Sequence, residues 1–231
     1  IACKYSEQIM VDRSSPMAMA RSVVDARKRG IPAEGGLYML VAQAIKAAEL
    51  FLDTEFPSEV LDQTYHKILK DKENIALIGM PACGKSTVGR ILASEMSRDF
   101  KDIDELITLS AKKAISDIFL NDGEAVFREL ESEAIASVSA ANKLIIATGG
   151  GSILREENVN MLKQNSILFF IDRPLDALLP TADRPLSSNR EDLEKRYNER
   201  YPIYRAVADV IIDANTQPDV VAKKIIGGFY K

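Results

Sequence analysis

The chain has 231 residues, 46% hydrophobic and 28% charged, an ordinary balance for a globular protein able to bury a substantial core. A net charge of −4 gives no support to nucleic-acid or anionic-membrane binding, so neither nucleic acid nor membrane is expected as a partner. Two cysteines, Cys3 and Cys83, make no disulfide framework and suit a reducing cytoplasm, while a lone histidine, His66, offers no zinc cluster and no histidine-assisted nucleophile. No apolar run reaches membrane-spanning length and no basic-then-apolar leader opens the chain. With Ile1 in place of Met at its start, the chain reads as a processed or excised piece of something longer.

Residues 1–72 show no strand alternation of any length and are expected to be mostly helical. Residues 17–29 are helix-compatible, and Gly30-Ile31-Pro32 is a stop. Leu37, Leu40, Val41, Ala44, Ile45, Ala48 and Leu52 trace a helical stripe that Phe56-Pro57 breaks. Ser58-Glu59 opens a further helix with Val60, Leu61, Tyr65, Ile68 and Leu69, and the charged Lys70-Asp71-Lys72-Glu73 run reads as a solvated helix end or linker. The expected organisation is a helical segment over 1–56, a linker or connecting helix over 57–73, and a main domain over 74–231.

From residue 74 the pattern alternates. Strand-like runs are expected at 74–79, 143–147, 167–172 and 209–213, with a short one near 100–103. Helical runs are expected at 86–98, 104–110, 115–120, 123–140, 156–163, 191–207 and 218–229. Strands separated by helices imply an α/β fold, a parallel sheet covered on both faces. Residues 173–190, with three prolines, mixed charge and no periodicity, have the length of an active-site lid.

The first of these strands leads into Gly79-Met80-Pro81-Ala82-Cys83-Gly84-Lys85-Ser86-Thr87. A glycine, four residues and Gly-Lys-Ser between strand and helix form a phosphate-binding loop. The glycines let backbone N–H groups turn inward around a polyphosphate, and the helix adds its positive end. Gly79, Cys83, Gly84, Lys85, Ser86 and Thr87 are the candidate nucleotide-binding residues. Lys85 is placed to reach the terminal phosphates and the Ser86 hydroxyl to hold Mg²⁺.

Asp102 and Asp104 stand at alternate positions where a strand is expected to end, so both point above the sheet's carboxyl edge. One can orient Mg²⁺ or its waters and the other can accept a proton from a substrate hydroxyl. The plainer alternative is an acidic strand end capping the next helix. Asp172-Arg173-Pro174 also ends a strand and reads as a turn. Arg128 and Glu131 are either a surface pair or a carboxylate fixing a guanidinium so that it can clamp a substrate carboxylate. Gly149, Gly150 and Gly151 follow a strand and admit a ligand close to the backbone. Arg184 lies in the expected lid, where an arginine can neutralise charge on a transferring phosphoryl group. Arg196, Arg200 and Arg205 surround Tyr201-Pro202-Ile203-Tyr204, and Arg190 and Arg196 read as solvated.

In this order and at these spacings the set resembles shikimate kinase over residues 74–228. The resemblance also takes in Asp117-Ile118-Phe119, Asp122-Gly123-Glu124 with Phe127-Arg128, and Arg184-Pro185-Leu186. It implies a P-loop kinase three-layer fold with a parallel five-stranded sheet. It further implies transfer of the γ-phosphate of ATP to the 3-hydroxyl of shikimate, with Mg²⁺. By matching position it implies Lys85, Asp104 and Arg184 as catalytic residues, and Ser86 with Asp102, acting through water, at the metal. Arg128 and Arg200 would hold the shikimate carboxylate, Gly149, Gly150 and Gly151 would line its ring, Asp104 would bind its hydroxyls and Glu131 would support Arg128. The stretch before Arg184 is short and lacks the upstream arginine that many members place against adenine.

A smaller resemblance precedes it. Ala26-Arg27-Lys28-Arg29-Gly30, then Gly36-Leu37-Tyr38-Met39 with Gln43 and Ala48-Glu49, looks like the C-terminal end of shikimate dehydrogenase. It implies that Gln43 once touched shikimate and that the Gly-Leu turn lay near a nicotinamide. The dehydrogenase glycine motif and catalytic Lys/Asp portion are absent here. The implication is a fusion with a missing dehydrogenase portion upstream, or a remnant kept as a helical appendage. Two other readings stand beside the kinase: a gluconate-like sugar-acid kinase, and a non-catalytic nucleotide-binding module whose helical N-terminus is the interaction surface.

Overall fold

The computed structural model describes residues 10–12, 29–31, 33–178 and 190–230. The chain divides into two compact units, Ile1–Glu73 and Asn74–Lys231. In the first, β1 (Met10–Asp12) pairs in parallel with β2 (Ala33–Gly35). This corrects the expectation of a segment without strands. Three residues are too few to display a period of two, so only pairing between distant segments reveals them. Helices α1 (Leu37–Leu52) and α2 (Glu59–Lys72) follow. They meet through Tyr38, whose ring packs edge-on to Tyr65 at 5.2 Å and whose hydroxyl donates to Asp62 Oδ1 at 3.2 Å. The last turn of α1 leaves Leu50, Phe51 and Leu52 exposed. Most of the helix expected at 17–29 lies outside the described residues.

The second unit is a five-stranded sheet of order β4-β5-β3-β6-β7, every neighbouring pair parallel, as the alternation required. Its strands are β3 (Asn74–Ile78), β4 (Asp99–Asp102), β5 (Leu144–Ala147), β6 (Ser166–Asp172) and β7 (Val210–Asp213). The helices between them are α3 (Lys85–Met96), α4 (Ile103–Ala111), α5 (Ile115–Asn121) and α6 (Gly123–Ser139). Then come α7 (Glu156–Lys163), α8 (Arg190–Val207) and α9 (Pro218–Phe229). The central strands are continuous apolar runs because helices cover both faces. Ile75, Leu77, Ile145, Ile146, Leu168 and Phe169 are all fully buried, and each contributes on the order of 1.5–3 kcal/mol by leaving water.

Register fixes where the site lies. Leu77 stands opposite both Ala147 and Phe169, and Asp102 opposite Ala147. The residues after β3, β4 and β5 therefore emerge at one level along the sheet's carboxyl edge. At the other edge Asn74 holds β5 in place, donating to Ala141 O and accepting from Leu144 N, both at 2.8 Å. Of the expected lid, residues 173–178 and 190 are described and contain a single 3-10 turn, Leu175–Ala177. Arg184 lies outside the described residues.

Candidate active site

The phosphate loop leaves β3 at Gly79, with φ 149° and no room for a side chain. A Cβ there would come within 2.9 Å of both Cys83 Sγ and the Ile171 carbonyl. Gly84, at φ 100°, turns the chain into α3. Lys85 opens that helix and folds back, its Nζ donating to Gly79 O at 2.9 Å and Met80 O at 2.8 Å. The residue is only 6% exposed, and among the described residues its ammonium meets backbone carbonyls in place of a carboxylate. A charge so held retains most of its attraction for an incoming anion.

Ser86, one residue on, donates its hydroxyl to Asp102 Oδ2 at 2.5 Å. Asp102 also caps α4, its Oδ1 accepting from Asp104 N at 3.0 Å. The capping reading of Asp102 is thus observed on one oxygen, while the other is held by the Ser86 hydroxyl. Asp104 departs from expectation in its element. It does not alternate with Asp102 along a strand but lies in the first turn of α4, because the strand stops at Asp102. Asp102, Asp104, Lys85, Ser86, Thr87, Gly84, Ala82 and Thr148 nevertheless line one cleft of about 230 Å³. Asp104 also borders a more open, largely apolar hollow of about 490 Å³ shared with Thr108, Leu109 and Ile115.

The hydroxyl and carboxylate of Ser86 and Asp102 are hard oxygen donors of the kind Mg²⁺ accepts. Among the described residues no group of three or more His, Cys, Asp or Glu side chains could cage a metal. A cation here would take its remaining oxygens from phosphate and water, which is the habit of Mg²⁺ in phosphoryl-transfer sites.

Beyond Asp104 stand two guanidinium groups in unlike settings. Arg128 donates Nη1 to Glu131 Oε2 at 2.8 Å, and its Nε and Nη2 reach Glu124 Oε1 at 3.3 and 2.9 Å. Glu131 is fully buried and gives its other oxygen to the Ser152 hydroxyl at 2.6 Å. This is no surface pair. Burial is the largest influence on Arg128 and pulls its pKa down, yet Glu131 and Glu124 together outweigh it and the net shift is upward. Arg200, equally buried, has no such carboxylate among the described residues. Its Nη1 donates to Gly150 O at 3.0 Å. Its pKa is lowered, by burial first; Tyr204 is the next influence and opposes the shift, the positive charges of Arg128 and Arg196 add to it, and Glu124 opposes it weakly.

The three glycines are each closely approached by other parts of the site. A Cβ on Gly149 would meet Glu131 Oε1 at 2.5 Å and Asp104 Oδ1 at 3.1 Å. One on Gly150 would meet the Pro81 ring at 2.7 Å, and one on Gly151 would overlap the Arg128 guanidinium. The space they leave is filled by the site's own side chains, so the run draws the phosphate loop, Asp104, Glu131 and Arg128 together around β5. None of the three has a positive φ, so room and not conformation is what requires glycine.

Sequence reasoning gave no role to Tyr204, Ser152 or Thr148. The Tyr204 hydroxyl bridges Gly79 O at 2.9 Å and Gly150 O at 2.5 Å, tying phosphate loop to glycine run. Its spacing of four from Arg200 put both on one helix face, a signal that was available. Thr148 donates to Leu77 O at 3.0 Å. Ser152 carried no local signal. Arg190 pairs with exposed Asp176, and Arg205 donates to the Tyr201 hydroxyl.

A family model for shikimate kinase matches residues 81–228. The chain belongs to the shikimate kinase family. It is 44% identical over 145 residues to the shikimate kinase of Clostridium beijerinckii, covering 61% of this chain and 85% of that protein. With the shikimate kinase of Clostridium botulinum (strain Eklund 17B) it shares 41% identity over 162 residues, covering 67% and 98% respectively. Among solved structures it is similar to shikimate kinase from Acinetobacter baumannii in complex with shikimate. That match has a TM-score of 0.66 at 32% identity, covering 70% of this chain and 94% of the other. A second match, from Aquifex aeolicus, has a TM-score of 0.59 at 34% identity, covering 66% and 94%. As a shikimate kinase family member the chain is an ATP-using kinase enzyme of the P-loop fold. The first 80 residues lie outside the family-model match. No helix among the described residues is long and apolar enough to cross a membrane.

Proposed function

We propose that this site moves the γ-phosphate of ATP to the 3-hydroxyl of shikimate, with Ser86, and Asp102 through water, as the residues that would hold Mg²⁺. The observation that carries the reading is Arg200. A buried guanidinium with no carboxylate hydrogen-bonded to it among the described residues, near a second one held rigid by Glu131, is a receptor for an external carboxylate. Asp104 lines the phosphate-loop cleft and stands at Gly149 beside Glu131, the anchor of Arg128, so it is placed to receive a hydroxyl of the same small acid.

In this reading the inward N–H groups of the loop and Lys85 hold the phosphates, Nζ leaving its two carbonyls for phosphate oxygen. Asp104 orients the acceptor hydroxyl and takes its proton as the oxygen bonds to phosphorus and the bond to ADP breaks. Mg²⁺, when bound, neutralises charge on the phosphate oxygens. Arg128 and Arg200 fix the acid, Gly149, Gly150 and Gly151 line its ring, and Arg184 comes to the phosphates from the lid. The chain's own contribution is positioning and charge. The free thiol of Cys83, inside the loop, suits a reducing cytoplasm.

ADP release measured with shikimate, with gluconate and with no acceptor tests this. Turnover with shikimate is expected, and turnover with gluconate alone, or equal release without acceptor, rejects it. Asp104→Asn should lower kcat by roughly 10²–10⁴ and leave ADP binding intact. An unchanged rate would remove Asp104 from the mechanism.

A separate part of the proposal concerns residues 1–56. Their likeness to a shikimate dehydrogenase C-terminus is supported by α1, which starts after Gly36 at Leu37, carries Gln43 and leaves it exposed. We read the segment as the end of a dehydrogenase joined through 57–73 to the kinase domain 74–231. The coding sequence upstream of Ile1 tests it: a dehydrogenase glycine motif there supports the fusion, and unrelated sequence removes it.

A further inference from the structure

Arg173 follows the last residue of β6, and the roles assigned above make no use of it. Its Nη1 lies 3.9 Å from where a Cβ on Gly84 would be, so the guanidinium stands against the turn that opens α3. Its Nε is buried and donates to nothing. The other atoms in that state among the described residues belong to neutral groups, Ser139, Asn158 and Ser166. A buried N–H of a cation left without an acceptor is costly, more so than a hydroxyl. The adjacent carboxylate does not relieve it: Arg173 Nε has no partner, and Asp172 Oδ2 accepts from the Tyr201 hydroxyl at 3.0 Å.

Sheet order says what would. β4 and β5, with Asp102, Asp104 and the glycine run, lie on one side of β3, and β6 lies on the other. If the acceptor sits on the β4–β5 side, the terminal phosphate points that way and the nucleoside end of the same molecule extends toward β6. The glycine turn of a phosphate loop cradles the inner phosphates, and Gly84 is the residue against which Arg173 stands. We propose that Arg173 is a nucleotide-binding residue whose guanidinium donates to an inner phosphate of the bound nucleotide, common to ATP and ADP. This rests on the phosphoryl-transfer reading above for the direction of the nucleotide.

Calorimetric titration of the full chain with ADP, and separately with shikimate, tests it on wild type, Arg173→Ala and Arg173→Lys. Losing a charge-assisted hydrogen bond should weaken ADP binding by roughly 10- to 100-fold in Arg173→Ala. The lysine variant should fall between. Shikimate binding should be unchanged, and the melting temperature no lower, because removing Nε strands no partner. Unchanged ADP binding overturns the inference. So does a joint loss of melting temperature and both ligands, which marks a structural residue. Wild type that binds ADP but shows no shikimate-dependent turnover would sink the activity reading, while the ADP comparison would still decide Arg173.

Discussion

Arg128 and Arg200 are both about nine-tenths buried, but removing them should have different consequences. Arg128→Ala leaves Glu131 buried without its cation, and breaking such a pair costs on the order of 3 kcal/mol. It should therefore lower the melting temperature and raise the shikimate KM together. Arg200→Ala takes a donor from the Gly150 carbonyl, which keeps the Tyr204 hydroxyl, and from the Tyr204 hydroxyl, which keeps its contacts with Gly79 and Gly150. It should raise the shikimate KM at little cost in stability, and should abolish the thermal shift that shikimate gives the wild type. Equal destabilisation by both would mean that Arg200 has a structural partner. Tyr204 makes a second residue-scale case. Burial raises its pKa above the ordinary 10.0, with Arg200 pulling the other way. The folded state thus keeps the phenol proton to a higher pH than the unfolded chain does. Stability from this group is full below pH 10 and falls as pH rises beyond it, by up to about 1.4 kcal/mol per unit. Tyr204→Phe should cost about 1 kcal/mol at neutral pH and flatten the alkaline limb of the stability curve, measurable by urea unfolding at pH 8 to 11. An identical limb in both proteins would assign the loss elsewhere.

At the scale of elements, the loop after β5 is where three of the site's parts are brought into contact. Its glycines face obstacles of different stiffness. Gly150 meets a proline ring that is part of the phosphate loop, whereas Gly151 meets the far end of a flexible arginine. Gly150→Ala should push the phosphate loop away and weaken ADP binding as well as stability. Gly151→Ala should displace only the guanidinium, raising the shikimate KM several-fold with ADP affinity kept. Calorimetry with each ligand distinguishes them, and matching losses in the two variants would contradict the assignment. The same contacts explain why the site residues come from five separate segments. Parallel strands deliver every following loop to one edge, so residues far apart in the chain meet there.

For the whole molecule, the buried apolar cluster that contains Ile75 and Phe229 draws all its members from residues 75–229, and each described candidate site residue falls within the Asn74–Lys231 unit. A chain cut to residues 74–231 should fold cooperatively and retain shikimate-dependent ADP release within about two-fold of the full chain, since interior burial supplies most of its stability. An unfolded or inactive fragment would show that the first unit supports the second. Circular dichroism melting with the coupled assay decides between them.

Much of this protein is legible from local pattern. The order of strands and helices after residue 74 matches the structure to within a few residues, because buried parallel strands and covering helices each impose their own periodicity. The phosphate loop is equally legible, since its chemistry needs fixed spacing within nine consecutive residues. What spacing could not supply is partnership at a distance. Whether Glu131 was a solvated neighbour or a buried anchor depended on Ser152, twenty-one residues away. That the glycine run packs against Pro81, Asp104 and Arg128, which come from other elements, is a contact of the same kind. The β1–β2 pair escaped notice because each strand is shorter than its own signal. Sequence therefore determined the fold class and the phosphate loop, which rest on short-range sterics and periodicity. Only the tertiary structure decided that Arg128 is paired with buried Glu131 while Arg200 has no hydrogen-bonded carboxylate among the described residues, because electrostatic balance in a buried site is set by everything packed around it.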